Sequence, residues 1–282
     1  MSPYSDAEWS KRWLAGMQAE EQQPVREYTV RLEHGGSTGL PYASGLGECA
    51  RQLFMSIQKE EKSDPGHPMY NWPTYMGYAG ETYNRTILER MGYTVERPER
   101  IIHEGVVTVH PDGVLSGLDF LEPVLWDGKV RSSYAYKMLA TQPMRQFDPT
   151  MYMQMQVSMA ATNTKLTMVT LHPHDLSAVR GDMRRYKWGE HVVNPVSQRL
   201  FVSADAKAQE LAVDRARALL AARELDMMVQ REYNPTSVKH STFPCGFCEW
   251  RTKCQAIDLE YEGREHELMV VPPIPEGWSE QV

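Results

Sequence analysis

An α/β fold is predicted by three observations. Short runs rich in Val, Ile and Leu crowd the middle of the chain, around residues 99–126 and again at 165–171. Segments of helical character lie on both sides of them. Four cysteines are divided between an early segment and the last forty residues, so that the two ends are expected to meet. The 282 residues, 41% hydrophobic and 24% charged, suffice for one sizeable domain with elaborations or for two small ones, and they exclude a disordered chain. No stretch approaches the ~20 apolar residues of a membrane-spanning helix. The opening MSPYSDAEWSKRWLAGM lacks a long apolar run and a small-residue cleavage site, so a cytoplasmic location is expected. A net charge of -7 argues against a chain coated in nucleic acid but leaves room for a local basic groove.

In chain order, residues 5–20 read as a helix, and residues 43–58 as a second one capped by Ser44. Residues 59–71, with Asp64-Pro65-Gly66 and Pro68, form a loop. Met76 to Leu88 is helical. Glu99 to Val109 and Gly113 to Leu121 are expected to pair as a hairpin about Pro111-Asp112-Gly113, and Val124-Leu125-Trp126 is a third short run. Tyr134 to Leu139 and Thr150 to Thr162 are expected as helices flanking the sheet, with Lys165 to Leu171 as a buried strand. Residues 205–230, dense in Ala, Leu, Glu and Arg, make a long helix. The tail Val271-Pro272-Pro273-Ile274-Pro275 is extended.

Cys245, Cys248 and Cys254 read C-x2-C-x5-C, and Cys49 stands in C-x-R-x-x-F (Cys49, Arg51, Phe54). A C-x2-C pair presents two thiolates from one tight turn, and two more complete a soft four-ligand set. Zn2+ and an iron–sulfur cluster both suit it, and spacing does not separate them. Four cysteines buried as small hydrophobes are the alternative.

Carboxylates supply the second signal. Asp119 ends one β-like run, and Asp127 and Lys129 follow in D-x-K spacing, on one face of their strand by its period of two. Two converging carboxylates bind Mg2+ or Mn2+ through hard oxygens, with a lysine beside them to orient or deprotonate a water. Asp112 rivals Asp119 for the first position. Glu81, one turn after Gly77, would face the same site if the backbone approaches closely at Gly77; it could equally pair with Arg85 on the helix surface. Gln154 is the odd polar residue in a Met-rich helix, with Gln156 competing for its role.

The order G-x-x-x-E (Gly77, Glu81), G-x-D (Gly117, Asp119), D-x-K (Asp127, Lys129) and a Gln-bearing helix (Gln154) resembles the RecB-type branch of the PD-(D/E)xK nucleases. With Cys49 and the C-terminal cysteine triplet it resembles the iron–sulfur exonucleases of the CRISPR-associated Cas-four type, which share their cluster arrangement with AddB-type helicase–nucleases. Phage-encoded members match as well as CRISPR components. The resemblance spans residues 44–256. It implies a restriction-endonuclease-like core at residues 73–200, made of a mixed sheet flanked by helices. An N-terminal helical region at 1–72 would carry the first cysteine, a long helix and cluster segment would occupy 201–258, and an extended tail 259–282.

The same resemblance implies that Asp119 and Asp127 bind Mg2+ or Mn2+ with the Gly128 carbonyl, that Glu81 joins them, and that Lys129 positions or activates the attacking water. It gives Gln154 the orientation of the lysine or nucleophile, and it makes Cys49, Cys245, Cys248 and Cys254 the ligands of a structural [4Fe-4S] cluster. The implied activity is hydrolysis of DNA from its ends, single-stranded ends preferred, alongside a helicase, recombination or CRISPR adaptation partner. A non-catalytic Fe–S or Zn DNA-binding scaffold on an inactive nuclease fold is the alternative. This chain departs from the family's pattern at three positions: Asp127 stands where many members have Glu, Glu81 where several have His, and Ser158 where a Tyr is common. For DNA contact, Arg131 and Ser132 lie just beyond Lys129. Arg184, Arg185, Tyr186 and Lys187 form the densest basic stretch with aromatics, suited to phosphates and a stacked base.

Overall fold

In the computed structural model, residues 6–21, 38–64, 72–117, 120–173, 198–232 and 248–275 are described. A five-stranded mixed sheet forms the centre, built from β1 (Thr94–Glu96), β4 (Gly113–Gly117), β5 (Phe120–Arg131), β6 (Leu166–Pro173) and β7 (Gln198–Ser203), in the spatial order β1-β4-β5-β6-β7. Only the β5–β6 pair is parallel; its neighbours are antiparallel. Parallel strands need a crossover, and here the chain makes it through helices α4 (Ser133–Thr141), α5 (Met144–Phe147) and α6 (Pro149–Thr162).

β5 is buried without interruption from Val124 to Gly128, as expected of a central strand covered on both faces. Its side chains divide by the period of two. Trp126 joins Trp9 and Trp13 of α1 (Asp6–Glu21) and Ile87 and Leu88 of α3 (Trp72–Arg90). Leu125 faces the other way, among Tyr136, Leu139, Met144, Met151 and Met155.

A third core joins Leu46, Leu53 and Phe54 to Met153 and Val157 of α6, to Ala212, Ala216 and Leu219 of α7 (Ala206–Glu224), and to Val271 near the chain end. α6 is therefore apolar all round because it is packed all round. Asp148, whose Oδ1 accepts a hydrogen bond from Met151 N at 2.9 Å, caps its start, and Pro149 takes the first helical position.

Several expectations are corrected. Among the described residues, 99–109 do not pair with 113–117 or 120–121. They fold back on themselves as β2 (Ile101–His103) and β3 (Val107–Val109), while β4 pairs with β5. The reason is local: Glu104 and Gly105 both adopt positive φ (49° and 72°) and Val106 N donates to His103 O at 3.0 Å, a hairpin turn matched to strand twist. The helix expected over residues 43–58 is a 3-10 turn, Ala43–Gly45, followed by α2 (Ala50–Gln58). Ser44 does not cap it. Cys49 occupies the N-cap position without a side-chain bond, and the Ala50 N–H is met by the Glu232 carboxylate at 2.7 Å. The long helix stops at Glu224, where Leu225 leaves helical geometry, instead of running to 230. The strand β7, the short β1 and the helix α8 (Arg251–Glu260) were not anticipated. α8 is capped from a distance: Asp64 accepts hydrogen bonds from Thr252 N at 2.7 Å and from Thr252 Oγ1 at 2.9 Å.

Two fully buried arginines tie the ends of the described chain together. Arg215 of α7 donates to Leu46 O (2.8 Å), Glu48 O (2.9 Å), Pro272 O and both carboxylate oxygens of Glu232. Arg51 of α2 donates to Val229 O (2.7 Å) and to Asp258 Oδ1 of α8 (2.7 Å). Among the described residues no helix is long and apolar enough to cross a membrane.

Candidate active site

β4 pairs with β5 only as far as Gly113 opposite Trp126. Beyond that point one edge of β5 is open, and Asp112, the residue before β4, turns its carboxylate into the gap. Asp112 Oδ2 accepts a hydrogen bond from Gly128 N at 2.9 Å. The carboxylate thus serves a strand N–H that lies past the end of β4. Asp127 and Lys129 share one face of β5, as the spacing predicts, and are paired directly: Lys129 Nζ donates to Asp127 Oδ1 at 3.0 Å and lies 2.9 Å from Oδ2. Asp127 Oδ2 is buried and has no well-directed hydrogen bond.

Glu81 arrives from α3, which presses on the opposite face of β5. The close approach is at Gly80 and not at Gly77: a Cβ at Gly80 would stand 2.3 Å from Val130 Cγ2, whereas nothing lies within 4 Å of one at Gly77. The Glu81 carboxylate lies 3.5 Å from Arg97 Nη2 and 4.0 Å from Arg85 Nη1. Pairing with Arg85 and membership of the site therefore coexist.

Glu81, Asp112, Asp127 and Lys129 feel one another's charge. Burial raises the Glu81 pKa, with Arg97 and Arg85 opposing and Asp127 adding to the rise. Asp112 is pushed well above the usual carboxylate range by burial first and by Asp127 second. For Lys129, burial works against the charge, yet Asp127 and Asp112 outweigh it and hold the pKa above its ordinary value. Three carboxylates and one ammonium share the site, with the Arg97 and Arg85 guanidiniums at the Glu81 carboxylate.

Asp119 lies outside the described residues. Phe120, where β5 begins, is seven positions from Asp127, about 23 Å at ~3.3 Å per residue. Asp112, the rival for the first aspartate, is the one the structure brings to Asp127. Gln154 is half-buried on α6, three residues after Met151, whose Sδ lies 3.3 Å from Arg131 Nη2. Gln156 is committed elsewhere: it donates to Ser203 O at 3.0 Å and accepts from Asp205 N at 2.8 Å. Ser132 is the N-cap of α4, its Oγ accepting from Ala135 N at 3.2 Å, so its hydroxyl has a structural use that explains its place. Arg184, Arg185, Tyr186 and Lys187 lie outside the described residues.

Sequence reasoning missed Arg97 and Asn84. Asn84 is 1% exposed, three residues after Glu81, and its Nδ2 lies 3.5 Å from where a Gly128 Cβ would be. A lone amide one turn from a candidate acid, next to Ile87 and Leu88, was the available signal.

The carboxylate set fits a divalent cation in one respect, the undirected buried oxygen of Asp127. Among the described residues, however, no three His, Cys, Asp or Glu side chains stand close enough together to hold a metal as placed. The Lys129 ammonium sits at the Asp127 carboxylate instead.

Cys49, at the start of α2, and Cys254, on α8, are close enough for their charges to interact. Cys248 and Cys254 both pack on the cluster of Met55, Trp250 and Ile257. Cys245 lies outside the described residues. Burial raises the Cys254 pKa. Arg51, whose Nη1 is 3.4 Å from Cys254 Sγ, opposes the rise, and Asp258 and Cys49 add to it. Soft donors beside α2 and on α8 thus lie near each other, a donor chemistry suited to a thiolate-held centre, although among the described residues no three of them stand close enough together to hold a metal as placed.

The sequence matches no protein-family model, and no curated protein matches it. Among solved structures the chain is similar to an alkaline exonuclease (LHK-Exo) from Laribacter hongkongensis, with 16% identity and a TM-score of 0.46 over 67% of this chain and 90% of that one. LHK-Exo in complex with dAMP is similar at the same identity and TM-score, with 89% of that chain covered. SSO0001 is similar at 10% identity and a TM-score of 0.41, covering 88% of this chain and 96% of the other.

Proposed function

We propose that the protein is a divalent-metal-dependent DNA exonuclease, acting on single-stranded ends, with a [4Fe-4S] cluster that holds its chain ends together. The convergence of Glu81, Asp112, Asp127 and Lys129 at the open edge of β5 carries this reading. Asp112 takes the first acidic position, Asp127 the second, and Glu81 reaches the pair from α3. These carboxylates, with the Gly128 carbonyl, would hold Mg2+ or Mn2+. The cation would supply positive charge against the phosphate oxygens as the phosphodiester breaks.

Lys129 remains protonated at neutral pH in its present contacts. It therefore serves as a fixed donor that orients a water or a phosphate oxygen, and Asp127 holds it in place. Gln154 of α6 is assigned to the nucleophile or lysine. Arg131 at the end of β5 offers a cation to the DNA backbone; its Asp148 partner at 3.3 Å is half-exposed and exchangeable.

Cys49, Cys245, Cys248 and Cys254 are proposed as cluster ligands. The proximity of Cys49 to Cys254, from opposite ends of the sequence, supports this assignment.

The test is degradation of end-labelled single-stranded and duplex DNA by anaerobically purified protein with Mg2+ or Mn2+, beside Lys129→Ala and Asp127→Asn. Metal-dependent shortening from the ends, reduced ~10²–10³-fold in either variant, is expected. Undiminished cleavage in Lys129→Ala refutes the site. No cleavage by cluster-loaded wild type with either metal transfers the protein to the class of DNA-binding scaffolds. Iron and acid-labile sulfide analysis separates the cluster from zinc.

A further inference from the structure

Arg51 is 1% exposed, two residues after Cys49, and is held between α2 and α8. Its Nη1 faces Asp258 Oδ1 at 2.7 Å, Cys254 O at 3.3 Å and Cys254 Sγ at 3.4 Å, while Nε is bound to Val229 O at 2.7 Å. Its Nη2 is buried and meets no acceptor among the described residues. The carboxylate paired with it, Asp258, is shared with a second guanidinium: Arg231 Nε stands 2.7 Å from Asp258 Oδ2. Of the two, only the Arg51 side chain is fully buried, 1% exposed against 24% for Arg231.

We propose that Arg51 is a positioning residue of the cysteine-held centre: its guanidinium fixes the Cys254 sulfur, supplies the buried counter-charge, and raises the reduction potential of the centre. This rests on the iron–sulfur reading of the four cysteines. Thiolates around an iron–sulfur core carry net negative charge, which grows by one on one-electron reduction. A fixed buried cation and an N–H directed at a ligand sulfur therefore favour the reduced form. The same charge accounts for an arginine at a position where a buried side chain would ordinarily be apolar. Asp258 has the opposite effect on the centre, partly cancelling the guanidinium it orients.

The experiment is a dye-mediated reductive titration of the full-length protein, reconstituted anaerobically with iron and sulfide, as wild type, Arg51→Gln, Arg51→Lys and Asp258→Asn. Arg51→Gln is expected to lower the potential, disfavouring reduction at least tenfold, which is about 59 mV for one electron. Arg51→Lys keeps the charge without the directed donor and falls between the two. Asp258→Asn leaves the guanidinium in place and moves the potential upward.

A fully loaded Arg51→Gln protein with the wild-type potential overturns the inference, as does a shift of both substitutions in one direction, the result of merely loosened packing. Should Arg51→Gln fail to fold, the sign of the Asp258→Asn shift decides. A wild-type protein that takes up no iron and sulfide overturns the cluster reading and this inference with it. A loaded wild type with an unresponsive potential overturns this inference alone.

Discussion

The seating of α3 on β5 turns on one missing methyl group. A Cβ at Gly80 would lie 2.3 Å from Val130 Cγ2, where ordinary carbon contacts are about 3.5 Å, so Gly80→Ala must turn the Val130 side chain out of its place or push helix and strand apart by about 1 Å. Overpacking of this kind costs about 1–3 kcal/mol. Alanine in a helix recovers up to ~1 kcal/mol of that relative to glycine, which leaves a net loss of about 0–2 kcal/mol. Activity is expected to suffer more than stability. Glu81 is the next residue, and a displacement of ~1 Å at a reacting centre can cost about 10²-fold in rate.

Removing the obstructing methyls should reverse both effects. Val130→Ala alone loses roughly 1 kcal/mol of burial, but in the Gly80→Ala/Val130→Ala protein the clash is gone, so stability and Glu81 placement both recover. The assay pairs urea melts with end-labelled DNA degradation across the four proteins of the double-mutant cycle. Strict additivity, or a Gly80→Ala enzyme of wild-type rate, refutes this account of how Glu81 is placed.

Asp112→Asn is expected to reduce cleavage more than Asp119→Asn, because Asp112 is the residue bonded at Gly128; the reverse ranking in the same DNA assay would reinstate Asp119. EDTA should abolish cleavage, and added Mg2+ or Mn2+ should restore it. Arg215→Met strands the Glu232 carboxylate and three carbonyls in a buried place, so urea melts should show a loss of about 3–5 kcal/mol. Asp64→Ala removes the remote cap of α8. The Asp64 pKa is lowered, chiefly by the Thr252 N–H, so its contribution is present above the ordinary carboxylate value of about 4 and fades as pH falls through the lower native value. Hydrogen exchange at residues 251–254 should be faster in the variant at neutral pH and equal to wild type in acid.

The candidate site was legible where period alone decides. D-x-K puts Asp127 and Lys129 on one face of any strand; the contact that seats α3 beside Glu81 is at Gly80, its immediate neighbour, and not at Gly77 one turn before it, so helical spacing does not report it. What needed register was not legible. Asp112 reaches Gly128 because β4 pairs with β5, and positive φ at Glu104 and Gly105 closes the preceding hairpin earlier than the apolar pattern suggests; Asp119 lies outside the described residues. Gly77 and Gly80 are equivalent as letters; the position of Val130 distinguishes them. The cap on α2 comes from Glu232 and the cap on α8 from Asp64, and no local pattern reports a cap borrowed from so far along the chain. β7 escaped notice because Gln198 and Arg199 break the apolar run that would have marked it.

The Arg215 clamp also sets a schedule. Its carbonyl partners lie 169 residues before it, at Leu46, and 57 after it, at Pro272. During synthesis at ~5–20 residues per second, the segment bearing Cys49 waits roughly 10–45 s for the last of those partners to be made. Through that interval Leu46, Leu53 and Phe54 lack the Val271 side of their core. A nascent chain stalled before residue 272 would therefore carry exposed apolar surface at its beginning, and this is the stretch where a chaperone has the longest opportunity to bind.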